Sequence, residues 1–299
     1  MTREDVGQAA QLACLLEVSA PKPGNVTPDA EFADARFEDF VASALAIGPV
    51  IAAADRLSVG ACVLECVRAT RRRTRTNTNL GTVLLLCPLA RAYGHEPLRD
   101  ALRAVLSTLT QDDARDVYEA IRLARPGGLG QVPAHDVWAP VAVSLRDAMA
   151  SARDRDTIAR EYVTDFAVTF GVALPAWLHW SGRLPARLAV VQTYLTVLSD
   201  VPDTLVARKT SALTAAAVSR VARRCLDAGG VQTEEGHRRL ARMDTWLRRH
   251  GNHLNPGTTA DLVAAALFTA ILEYGFEIVL KPRIRTPGPC GDGADRVGA

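Results

Sequence analysis

Thr76-Asn77-Thr78-Asn79-Leu80-Gly81-Thr82-Val83-Leu84-Leu85-Leu86 is the stretch on which the fold turns. Amide and hydroxyl side chains, which hydrogen-bond free backbone N–H groups, run directly into an apolar segment. That order marks a helix start followed by a buried helix. Capping needs one such residue, and the excess of Asn and Thr points to a ligand at the positive end of the helix.

Working outward, the same alternation recurs along the chain. Polar breaks rich in Gly and Pro separate segments with apolar residues at helical spacing, and strand-like alternation is rare. The spacing predicts helices over about 3–19, 36–57, 60–70, 79–93, 97–109, 112–124, 137–151, 155–176, 184–199, 204–227, 233–250 and 258–280. Pro21 and Pro23 end the first, and Gly229-Gly230 end the one that begins near Thr204. The expected fold is all-α, a single compact multi-helix domain of about twelve helices over 1–281, with its active site in the interhelical loops. A flexible tail is expected over 282–299, where Gly and Pro recur.

Composition narrows the function classes. Apolar residues make up 48% and charged residues 23%, the balance of a soluble globular chain. A net charge of +2 is too small to imply nucleic acid. The apolar stretch Ala260–Leu280 carries Asp261, Glu273 and Glu277, which a bilayer-spanning helix would not tolerate. With no signal-peptide core at the N-terminus, the expected location is the cytoplasm. Cys14, Cys62, Cys66, Cys87 and Cys225 lie in apolar runs and read as small buried hydrophobes, with no zinc spacing around Cys62 and Cys66.

Five breaks carry the candidate chemistry. In the first, Glu17 precedes Pro21-Lys22-Pro23-Gly24; two prolines hold the backbone of Lys22 extended, which suits either a phosphate clamp or an ordinary turn. The second supplies Asn77, Thr78 and Asn79. The third, Arg125-Pro126-Gly127-Gly128-Leu129-Gly130, allows a ligand close to the backbone or simply ends a helix. In the fourth, Asp203 can cap a helix or bind metal, with Arg208 and Lys209 as a phosphate grip or a solvated face. The fifth groups Asn255, Pro256, Gly257, Thr258, Thr259 and Asp261, either a helix start or oxygen ligands for a divalent ion. Hard oxygen donors with scattered cations suit Mg²⁺ and a nucleoside triphosphate. The basic run Arg71–Arg75 reads as a solvated helix end or a further phosphate contact.

Taken in order, these breaks resemble the triphosphoribosyl-dephospho-CoA synthase family. Glu17 with Lys22-Pro23-Gly24 resembles its E…PKPG segment, and Asn77–Gly81 its N-T-H-K-G motif. Asp203–Arg208 is similar to D-T-N…R, and Pro256–Leu262 to P-G-G-S-A-D-L. The resemblance implies transfer of a triphosphoribosyl group from ATP to 3′-dephospho-CoA with release of adenine. It implies Asp203 and Asp261 as metal ligands or hydroxyl activators, with Glu17 as a further acid. Lys22 and Arg208 would hold phosphates, and Asn77 and Asn79 would orient the nucleotide. The implied partners are ATP and dephospho-CoA or a related compound, with a homo-oligomer left open. Asn79-Leu80 stand where the motif has His-Lys, Leu205 where it has Asn, and Thr258-Thr259 where it has Gly-Ser. These departures resemble a divergent branch found beside genes for one-carbon carrier cofactors such as methanopterin, which implies another acceptor. Kinase-like or hydrolase-like chemistry and a non-catalytic nucleotide-binding module are the other readings.

Overall fold

The computed structural model describes residues 1–94, 97–128 and 136–280. Among them the chain forms fifteen α-helices and no strand, with isolated bridges only at Thr27–Ala30 and Phe32–Ala35. The first eight are α1 (Arg3–Ser19), α2 (Phe37–Ile51), α3 (Val59–Arg71), α4 (Leu80–Ala92), α5 (Leu98–Ser107), α6 (Gln111–Ala124), α7 (Leu145–Ala152) and α8 (Thr157–Val163). They are followed by α9 (Leu174–Ser181), α10 (Ala186–Asp200), α11 (Thr204–Lys209), α12 (Ala212–Asp227), α13 (Glu234–Leu247), α14 (Gly257–Tyr274) and α15 (Glu277–Leu280).

The all-helical expectation holds, and the extra helices come from local breaks that periodicity does not register. Asp165 and Phe166 adopt φ values of 52° and 56°, which no α-helix accommodates, so the expected 155–176 helix divides into α8, a π-helical turn and α9. The expected 204–227 helix divides at Ser211, whose side chain accepts from Thr214 N and starts α12. Gly275, at φ 78°, separates α14 from α15. The expected helix from 137 begins only at Leu145, capped by Ser144 after the Pro140 segment. The tail expected from 282 lies outside the described residues.

α4 and α14 form the centre. Every residue from Thr82 to Ala90 and from Leu262 to Leu272 is buried, which is why both read as continuous apolar runs rather than as one-sided stripes. α14 packs against α1, α4, α9 and α10. No described helix is long and apolar enough to cross a membrane.

Two helix-interior prolines show how tightly this bundle is specified. Pro49 in α2 and Pro88 in α4 lack an N–H, so the carbonyls four residues earlier, on Leu45 and Leu84, lose their helical donors. Side chains from neighbouring elements replace them: Gln11 Nε2 donates to the Leu45 carbonyl at 3.1 Å, and the Tyr162 hydroxyl to that of Leu84 at 2.6 Å. Cys87 of α4 also meets Cys62 and Cys66 of α3, their sulfurs within 4.8 Å of one another. Sequence spacing around Cys62 and Cys66 did not reveal that third thiol. No fourth ligand joins the three among the described residues, and they pack as small apolar groups.

Tyr162→Phe should therefore destabilise the protein by about 1–3 kcal/mol, the cost of a buried carbonyl left without a donor. Adding Pro88→Ala, which restores a backbone donor, should shrink that loss. Chemical denaturation of the single and double variants measures both, and equal losses in the two backgrounds would contradict this explanation.

Candidate active site

One cavity of about 540 Å³ opens among α4, α6, α7, α8, α11 and the start of α14. Four of the five polar breaks meet there. Asn77 comes from the second, Arg125 and Gly127 from the third, Arg208 and Lys209 from the fourth, and Asn255, Thr258 and Asp261 from the fifth.

Asp261 lies one turn into α14, where the helix has already entered the core. Its Oδ1 accepts from the Thr82 hydroxyl at 2.6 Å. On the other side Gly81 leaves room for Oδ2; a Cβ built on Gly81 would lie 2.1 Å from that oxygen. Burial pushes the Asp261 carboxyl up to about 8, against the lowering by Thr82, and the charges of Glu17, Asp203 and Asp156 add to the rise. Asn255 lines the same cavity, and its Oδ1 is buried without a hydrogen-bond partner. An orphaned carbonyl oxygen and a half-buried carboxylate lining one cavity are the kind of hard donors a divalent cation takes.

The cationic corner is built from two segments far apart in sequence. Arg125 ends α6 in the left-handed region, at φ 51°, and turns the chain towards α11. Gly127 and Gly128 pack directly on α11. A Cβ on Gly127 would stand 3.3 Å from Lys209 Cε, and one on Gly128, itself at φ 72°, 3.4 Å from Arg208 Cβ. Arg208 is ion-paired with Asp156, whose other oxygen accepts from Ile158 N at 2.9 Å and caps α8. Lys209 Nζ donates to the carbonyl and side-chain oxygens of Asn252 at 3.0 and 3.2 Å, and Asn252 Nδ2 donates to Asp34 at 2.6 Å. Burial lowers the Lys209 ammonium, and Asp34 partly offsets this.

Other expected residues lie elsewhere. Lys22 is 1% exposed and does not line the cavity; its ammonium is held by the Glu17 and Ala20 carbonyls and, at 3.0 Å, by Glu17 Oε1. The proline-framed lysine is thus a buried strut closing the end of α1 rather than a phosphate clamp, and Glu17 is its counter-charge. Asp203 is 1% exposed, and its two oxygens already accept four bonds, from Leu205 N, Val206 N, Thr259 N and Thr259 Oγ1, at 2.7–3.0 Å. That leaves it no site for a metal. It ties α11 to α14 instead, and Thr259 is part of the same tie.

The polar excess of the second break divides in a similar way. Asn77 Oδ1 accepts from Leu80 N, Asn79 Nδ2 donates to Thr70, and Thr78 bonds Ser43. Asn77, Leu80 and Gly81 line the cavity, while Thr78 and Asn79 fasten α4 to α2 and α3.

Asp156, Asp34, Arg155 and Asn252 line the cavity without having been selected from the sequence. Asp156 carried a usable signal, an Asp directly before Thr157 at a helix start. Its place inside one long expected helix hid it.

Comparisons with known proteins bear on the family and the fold. A family model described as CitG: ATP:dephospho-CoA triphosphoribosyl transferase matches residues 3–279. A crystal structure from Archaeoglobus fulgidus, assigned provisionally as a triphosphoribosyl-dephospho-CoA synthase, is similar at 28% identity and TM-score 0.62. The match covers 78% of this chain and 99% of that one. None of the curated proteins matches this chain. An all-helical chain matched by the family model over nearly its whole length belongs to the ATP:dephospho-CoA triphosphoribosyl transferase family.

Proposed function

We propose that the cavity binds Mg²⁺ and ATP and transfers the triphosphoribosyl group to an acceptor hydroxyl, 3′-dephospho-CoA being the acceptor in the family's description. The observation that carries this reading is that one cavity is lined both by oxygen donors, Asp261 and the orphaned Asn255 Oδ1, and by the cations Arg125, Arg208 and Lys209.

The residues present fit a hard cation. Asp261, Asn255 Oδ1 and the Thr258 hydroxyl offer oxygen donors, while Asp203 has none to spare. Magnesium held there would shield the negative charge of the triphosphate. Arg208 and Lys209, with Arg125 and the exposed backbone at Gly127, would hold the phosphates. In the reaction the acceptor oxygen bonds to ribose C1′, the C1′–N9 bond of ATP breaks with its electron pair going to the base, and the proton lost by the hydroxyl is taken up by the base, which departs as neutral adenine. Positive charge develops at C1′ and the ring oxygen, as in glycoside hydrolysis, so a carboxylate near that carbon lowers the barrier. Asp156 serves this role best: it faces the cavity, is half-buried and is ion-paired with Arg208.

Purified protein incubated with ATP, Mg²⁺ and dephospho-CoA should release free adenine, read by chromatography. Release of ADP or phosphate without adenine would overturn the proposal, and binding without turnover would favour a non-catalytic module. Gly81→Ala should lower turnover by at least about tenfold, because the new methyl displaces Asp261, while circular dichroism remains that of an α-helical protein.

A pH dependence follows from Asp261. Its carboxyl binds metal only when deprotonated, so Mg²⁺ affinity should rise with pH through about 8. The stability effect has the opposite sign. A carboxyl raised in the folded state favours the fold while protonated, and that stability is lost as pH rises from about 4 towards the folded value. Asp261→Asn should therefore raise the melting temperature at pH 8 by at least about 2 °C. The gain should vanish as the pH approaches 4, as thermal scans across pH will show.

A further inference from the structure

Cys62, Cys66 and Cys87 form a cluster that the cavity chemistry does not use. Cys62 and Cys66 stand four residues apart on one face of α3, and Cys87 meets them from α4. The three sulfurs lie within 4.8 Å of one another, with those of Cys66 and Cys87 4.0 Å apart. The thiols of Cys66 and Cys87 both hydrogen-bond that of Cys62, so the three side chains are turned towards one another rather than to separate neighbours. All three are buried. The titratable groups that act on them are Cys14 and one another, with no cation among them.

Number, spacing and charge decide what such a cluster can hold. For sulfurs 4.0 Å apart, the centre of their triangle lies about 2.3 Å from each, the length of a metal–thiolate bond. Zinc in a structural site takes four ligands, and no fourth joins these three among the described residues. Three thiolates around Zn²⁺ would leave one surplus negative charge, and around Cu⁺ two. Either is costly in an apolar core without a counter-charge. Trivalent arsenic makes three bonds to sulfur, needs no fourth ligand and leaves no net charge.

We propose that Cys62, Cys66 and Cys87 are a site for trivalent arsenic, taken up as uncharged arsenite, As(OH)3. Three As–OH and three S–H bonds break, three As–S bonds form, and each thiol proton leaves on a hydroxide as water. Arsenic stays trivalent and no sulfur is oxidised. Because arsenic stands out of the plane of its three sulfurs, the thiols draw slightly together from their present spacing. Local opening of α3 from α4 admits the uncharged molecule, and the product staples the two helices together. The first turn of α4 carries Gly81 and Thr82, which shape the surroundings of Asp261, so the staple fixes a helix that forms part of the cavity wall. The site stands independently of the ribosyl-transfer reading, since none of the three thiols lines the cavity.

Native mass spectrometry of the reduced full chain with arsenite should show one arsenic per chain, gained with the loss of three hydrogens. Cys62→Ala, Cys66→Ala and Cys87→Ala should each weaken that binding by at least about tenfold, the lower end of what losing even a supporting residue costs a metal site. Cys14→Ala, Cys225→Ala and Cys290→Ala should leave it unchanged. Circular dichroism shows which variants are folded, and the unsubstituted chain supplies a test that needs none of them. Arsenite should raise its melting temperature, because only the folded chain brings the three thiols together. A lowered melting temperature would mean that arsenic takes thiols of the unfolded chain, and would overturn the proposal. So would undiminished binding in any folded variant of the three, or a native chain that takes up no arsenic.

Discussion

A carboxyl group held inside the protein organises everything around it. Asp261 stands at the head of the unbroken buried run of α14, where a charge is costly, and its Oδ1 accepts from the Thr82 hydroxyl. Room for it exists because Gly81 has no side chain, so the start of α4 and the start of α14 are shaped to each other. Such a group raises the energy of the empty fold and becomes favourable once a cation reaches it, a common trade between stability and function.

The remaining polar groups near the cavity divide into those that hold the frame and those that are left free. Asp203, Thr259, Asn79 and Thr78 have their bonds filled by other protein groups, and together they fix α11, α14, α4, α3 and α2. Lys22 and Glu17 do the same at the end of α1, deep enough that removing either would leave an unpaired buried charge. Asn255 Oδ1 is the exception, buried and unbonded at the cavity wall. The contrast between filled and unfilled bonds separates frame from site more sharply than residue type does.

Much of the architecture was legible in the sequence because apolar spacing reports burial directly. α4 and α14 announced themselves as unbroken apolar runs, and Pro21 and Gly229 ended helices where expected. What periodicity missed were breaks made by backbone conformation, such as Asp165-Phe166, where side-chain pattern continues across a chain that has left the helix. The site was legible as a set of loops, since four polar breaks do converge. It was not legible residue by residue. An Asp before a helix reads the same whether its oxygens are consumed by backbone amides, as in Asp203, or shared with a cavity-facing arginine, as in Asp156. Only the partner across the fold distinguishes them.

The claim that Asp261 and Asn255 hold the metal on the triphosphate is tested most directly by Mn²⁺ in place of Mg²⁺. Electron paramagnetic resonance of the protein with Mn²⁺ and ATP should show one tightly bound ion per chain. Asp261→Asn should weaken that binding by at least about tenfold, and Asp203→Asn should change it less. Tight Mn²⁺–ATP binding that survives Asp261→Asn would contradict the account.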